Sequence, residues 1–117
     1  ARGLAYERKV GKFLSCLCAK EEWKLWDHPW FEYNDGIRVG YFQPDFIVER
    51  PSGNLLIEVK LTYVDTRVQV QKYLKYLKVI GLVCAPVIVV KNLTPTTPSF
   101  VNDFNEIYPN SVLHLWI

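Results

Sequence analysis

Two β-like segments, Asp45 to Arg50 and Leu55 to Leu61, flank the turn-forming run Pro51-Ser52-Gly53-Asn54. Proline presets the backbone at a turn and glycine tolerates positive φ, so the stretch predicts a β-hairpin. Side chains on a strand alternate faces. Glu58 and Lys60 therefore share one face, and Ile57, Val59 and Leu61 the other. With the four turn residues as the loop, Arg50 lies opposite Leu55, Ile47 opposite Glu58 and Asp45 opposite Lys60. Asp45 and Glu58 then become diagonal neighbours, about 7–8 Å apart between Cα atoms. Two carboxylates at that spacing can hold a divalent cation between their oxygens, with Lys60 beside it. A slip of one residue would send Asp45 to the opposite face.

The flanking sequence supplies a scaffold. Leu4 to about Cys18 reads as a helix, with Leu4, Val10, Phe13, Leu14 and Leu17 at helical spacing. Glu7 falls on the same stripe, where glutamate is rarely buried without a partner. It either pairs with Arg8 or Lys12 in solvent or is presented to the acidic cluster, and the second reading is favoured. A first strand is expected near Trp23 to Trp26. The aromatic group Trp26, His28, Trp30, Phe31 and Tyr33 reads mainly as packing, with part left for a partner. His28, which stands before a proline, is given no catalytic role. Asn34-Asp35-Gly36 predicts a second hairpin with a type I′ turn, joining Phe31–Tyr33 to Ile37–Gln43.

A second helix is expected from about Asp65 to Ile80, with Asp65 and Thr66 able to cap it and Gly81 ending it. Gln69, Tyr73, Tyr76 or Leu77, and Ile80 would share one face, and Arg67, Gln71, Lys75 and Lys78 a more polar one. Pro86 to Val90 reads as a strand buried on both sides. Thr94 to Pro98 reads as a loop, and Phe100, Phe104 and Ile107 as a third helix stopped by Pro109-Asn110. Val112 to Ile117 reads as a strand at the sheet edge. This order predicts a single α/β domain over residues 1–117, a three-layer α/β/α sandwich around a mixed sheet of four to five strands.

Pro44-Asp45 followed on the next segment by Glu58-Val59-Lys60 resembles the PD-(D/E)XK nuclease superfamily, and the predicted element order is similar to its restriction-endonuclease-like fold. The resemblance implies that Asp45 and Glu58 bind a metal, magnesium with manganese able to substitute. It implies that Val59 lends a backbone carbonyl and that Lys60 serves the attacking water. Gly3, Glu7 and Arg8 match the Gly-x-x-x-Glu-Arg opening of resolvase-like members, which adds Glu7 to the metal set. Gln69 and Tyr73 match a Gln-x-x-x-Tyr element of the exonuclease branch. Gln69 would then hydrogen-bond Lys60 or a substrate phosphate, or is a surface glutamine, with Gln71 as the fallback.

The expected activity is metal-dependent hydrolysis of DNA, by a junction-resolving or site-specific endonuclease. An exonuclease, or a non-catalytic DNA-binding or assembly module, is the alternative. Arg38, Arg67, Gln71, Lys72 and Lys75 are the expected DNA contacts. The net charge is only +2, so such contacts form a local patch. Endonucleases that cut two strands commonly work as pairs, which predicts a homodimer. The three cysteines have no metal-binding spacing and predict buried thiols in an intracellular setting, cytoplasmic or nucleoid-associated, with a viral source also compatible. No signal-peptide pattern and no apolar run of about 20 residues is present.

Overall fold

A computed structural model describes residues 2–93 and 97–117, with side chains over 3–93 and 102–117. The elements follow in the order α1 (Arg2–Glu21), β1 (Lys24–Asp27), β2 (Phe31–Asn34), β3 (Val39–Phe42), β4 (Phe46–Glu49), β5 (Asn54–Thr62), α2 (Arg67–Val79), β6 (Cys84–Asn92), α3 (Thr97–Ile107) and β7 (Val112–His114). Five strands form one mixed sheet in the order β1-β4-β5-β6-β7, and β2 and β3 form a separate ribbon. β1, β4 and β5 are antiparallel neighbours. β5, β6 and β7 run parallel, joined by α2 and α3 as crossovers.

The two faces of the sheet carry two cores. On one, Tyr6, Val10, Leu14 and Cys18 of α1 pack against Phe46, Val48, Ile57, Val59 and Val89. On the other, Val70 and Leu77 of α2 and Phe104 of α3 cover Ile47, Leu56, Ile88 and Val90. The arrangement is the expected α/β/α sandwich with a mixed five-stranded sheet. The β2–β3 ribbon joins the second core, where Phe42 stacks on Phe31 and Tyr73, and Tyr33 stacks on Tyr76 with centroids 4.2 Å apart.

Several local expectations are corrected. The buried stripe of α1 runs Tyr6, Val10, Leu14, Cys18, whereas Leu4 and Phe13 are exposed. The Tyr6 hydroxyl reaches across to donate to the Leu115 carbonyl at 2.8 Å, which lets a polar aromatic take a core position. On α2 the buried positions are Val70 and Leu77, and Ile80 is exposed at the C-cap. Gly81 (φ +87°) and Leu82 donate to Lys78 and Leu77 carbonyls, forming a Schellman end. At the start of α2, Asp65 accepts the Arg67 N–H, and Thr66 makes no side-chain cap.

The β2–β3 turn is a four-residue loop rather than a type I′ turn, since only Gly36 has positive φ. Asn34 and Asp35 side chains accept the N–H groups of Gly36, Ile37 and Arg38, and this local bonding holds the wider loop. Of the loop expected over Thr94 to Pro98, residues 94–96 lie outside the described residues, and 97 and 98 belong to α3. The expectation of buried thiols holds for Cys18 but not for Cys16, which is exposed. No helix among the described residues is long and apolar enough to cross a membrane.

Candidate metal centre

The hairpin of β4 and β5 positions the acidic residues. Its turn begins one residue earlier than expected, at Arg50, whose carbonyl accepts the Gly53 N–H at 3.1 Å. Pro51 takes the second position of that turn, which its fixed φ suits, and Gly53 has φ +126°. The register is Phe46–Ile57, Ile47–Leu56, Val48–Leu55, two residues away from the expected one. Strand periodicity is also two, so every side chain keeps its predicted face. Asp45, one residue before β4, comes directly opposite Glu58 instead of diagonal to it. Lys60, half-buried, follows Glu58 on the same face of β5.

Contacts at this point are specific. Asp45 Oδ2 accepts the Val59 N–H at 2.8 Å. Glu58 is only 2% exposed and shares a hydrogen bond with the Asp45 carboxyl. Burial, and then the neighbouring Asp45 charge, push the Glu58 carboxyl up to about 9, against the opposing pull of Lys60. Glu58 Oε1 has no hydrogen-bond partner among the described residues. The ladder ends at Phe46–Ile57, the chain bends at Asp45, and Pro44, fully buried, precedes the bend. A strand residue's N–H and C=O point to the same side, so the Val59 carbonyl lies on the side where its N–H meets Asp45, and Pro44 has no N–H with which to extend the ladder toward it. Proline thus ends the ladder beside two carboxyls.

Glu7 approaches from the α1 side of the sheet and meets a residue the sequence reading passed over. His28, just after β1, contacts Glu7 Oε1 through Nε2 and Asp27 Oδ1 through Nδ1. Glu7, His28 and Asp45 each offer a ligand atom within 4.8 Å of the others, a group that could hold a metal ion. Glu58 is not in that group, so the expected trio of Glu7, Asp45 and Glu58 divides into two sets sharing Asp45. Burial lowers the His28 pKa, but the hydrogen bonds and charges of Glu7 and Asp27 outweigh it, and the net direction is upward.

The His28 backbone is fixed as firmly as its ring. Its N–H donates to the Asp45 carbonyl at 2.9 Å and its own carbonyl accepts from Gln43 Nε2 at 3.0 Å. The ring sits edge-on to Phe46 at 5.1 Å. Its φ of +49° is a left-handed conformation that costs a non-glycine residue on the order of 1 kcal/mol, which those contacts offset. Sequence offered only a weak signal for this role: a histidine at a strand end, with no spacing that links it to Glu7 or Asp45. An open cleft of about 480 Å³ lies over Glu7 and His28, bordered by Arg8, Lys12 and Ser15.

The remaining predicted residues lie apart from this centre. Gln69 donates to the Tyr73 hydroxyl at 3.1 Å, so the Gln-x-x-x-Tyr pair closes on itself, and no hydrogen bond joins Gln69 to Lys60 among those described. Arg67 is held by Asp65 through Nε and Nη2, the latter at 2.7 Å, and Arg38 lies 3.9 Å from the Asp35 carboxylate. Asp35 is a turn residue, as expected. Lys72 stands over the Tyr33 and Tyr76 rings. Lys75 lines a cleft with Tyr33, Asp35 and Tyr76, and Gln71 is exposed. Of the expected DNA residues, Arg38, Lys72 and Lys75 thus gather where α2 meets the β2–β3 ribbon, whereas Arg67 stays with Asp65 at the start of α2. No family model, no curated protein and no solved structure matches the chain.

Proposed function

We propose that this chain is a magnesium-dependent deoxyribonuclease of the PD-(D/E)XK kind, acting within the cell as an endonuclease on a junction or a specific site. The observation that carries the reading is Glu58: a carboxyl 2% exposed, beside Asp45, with an oxygen left unpartnered. Burying an acid against another acid is unfavourable unless one of them keeps a proton or a cation bound between them takes its place. The donors there are all oxygens, from Asp45, Glu58 and the Val59 carbonyl, which suits a hard cation such as Mg²⁺. A bound divalent cation supplies Lewis-acid polarisation of a phosphodiester.

The chain's own residues do the rest. Asp45 is oriented by the Val59 N–H, which holds its carboxylate beside Glu58 where it can act as a ligand. Lys60 is on the Glu58 face, where its ammonium can position an attacking water and offset charge growing on the phosphate. Arg38, Arg67, Lys72 and Lys75 supply the phosphate contacts that hold the duplex, and a homodimer supplies two centres for two cuts.

The test is incubation of supercoiled plasmid, a four-way junction and end-labelled linear duplex with Mg²⁺ or with EDTA. Nicking or junction cleavage with Mg²⁺ alone supports the endonuclease. Loss of label only from ends would make it an exonuclease, and binding of all three without cutting would make it a non-catalytic module.

A further inference from the structure

We propose that Glu7, His28 and Asp45 form a second cation position, on the α1 side of the sheet, that selects Mn²⁺ or a similar first-row transition ion over Mg²⁺. The three ligands come from three elements: α1, the residue after β1, and the residue before β4. Their ligand atoms lie within 4.8 Å of one another. An imidazole nitrogen with two carboxylate oxygens is a mixed donor set. Imidazole nitrogen suits iron, nickel, copper and zinc; manganese stands lowest in the first-row series, yet it accepts a nitrogen donor more readily than magnesium, which favours oxygen.

Two further observations point to a ligand. His28 Nδ1 is engaged by Asp27, which directs Nε2 toward Glu7. A carboxylate on the far nitrogen is the usual outer support of a metal-binding histidine. Independently, the shared ligand Asp45 hydrogen-bonds the buried Glu58 carboxyl, whose Oε1 is unpartnered. Asp45 therefore has a buried carboxyl with an unpartnered oxygen on one side and a nitrogen-bearing set on the other. The cleft above the pair is bordered by Arg8 and Lys12, which gives an anionic group a route to an ion held there. This inference concerns metal binding alone and does not require the nuclease reading.

The experiment is titration of the full chain with Mn²⁺ and with Mg²⁺ by calorimetry, with free Mn²⁺ counted by electron paramagnetic resonance. The wild type is expected to bind Mn²⁺ at least tenfold more tightly than Mg²⁺. His28→Gln is expected to abolish that preference and leave Mg²⁺ affinity within about twofold. Glu58→Gln is expected to weaken Mg²⁺ and keep the Mn²⁺ preference.

Asp27→Asn, which changes no ligand, is expected to weaken Mn²⁺ severalfold and leave melting in EDTA unchanged. It decides the matter if His28→Gln does not fold. Equal wild-type affinity for the two ions overturns the proposal, as does Mn²⁺ binding unaffected by His28→Gln, or by Asp27→Asn where His28→Gln does not fold. Cleavage with Mg²⁺ but no Mn²⁺ preference removes this site alone. A Mn²⁺ preference in a protein that cuts nothing removes the nuclease reading alone.

Discussion

Glu58 is the residue on which structure and chemistry meet. Its carboxyl, held at about 9 in the fold and near 4.5 in a solvated chain, stays protonated at neutral pH when no cation is present. The folded state thus holds a proton that the unfolded state has released. Between those two values stability falls as pH rises, by up to about 1.4 kcal/mol per pH unit. In EDTA the melting temperature should drop between pH 5 and pH 9, and Glu58→Gln should remove most of that drop. An equal slope in both proteins would place the charge elsewhere. His28 teaches the complementary lesson. Its partners Glu7 and Asp45 are 21 and 17 positions away, and its left-handed backbone is held by contacts with Asp45 and Gln43. Nothing local to Asp27-His28-Pro29 announces that, so the histidine was not legible beforehand.

At the scale of elements, the β4–β5 hairpin was legible in its faces and not in its register. Alternation fixes the face, and the turn fixes the register. Pro51 occupies the second turn position, so the turn starts at Arg50 and the pairing moves by two. That even shift preserved the site. Pro44 has an equally specific consequence. Pro44→Ala would supply an N–H with which the ladder could extend toward the Val59 carbonyl. It should lower Mg²⁺ affinity severalfold by calorimetry, and unchanged affinity would show that the carbonyl is not a ligand. The β2–β3 ribbon depends on Gly40, where an added Cβ would sit 2.3 Å from the Tyr33 ring. Gly40→Ala must push Tyr33 off its stack on Tyr76, at an expected cost of about 1–3 kcal/mol in urea unfolding. A loss below a few tenths would mean that the ribbon is loosely attached.

At the scale of the whole molecule, the order of helices and strands was readable because hydrophobic periodicity changes with each element. The run Pro86 to Val90 reads as a central strand because β6 is covered on both faces. The side on which each helix lies was not readable, and it separates Glu7 from Glu58. A net charge of +2 leaves little general attraction for DNA, and Asp65 and Asp35 already engage Arg67 and Arg38. On the nuclease reading, activity would therefore rest on the acidic centre and Lys60 more than on a broad basic surface. The decisive measurement is the single-turnover cleavage rate of the best-cut DNA in saturating Mg²⁺, for wild type and for Lys60→Ala with matched melting temperature. The expected result is a rate at least about 100-fold lower in Lys60→Ala, with DNA binding retained. Equal rates in the two proteins, or no cleavage by the wild type of any DNA that it binds, would contradict the account.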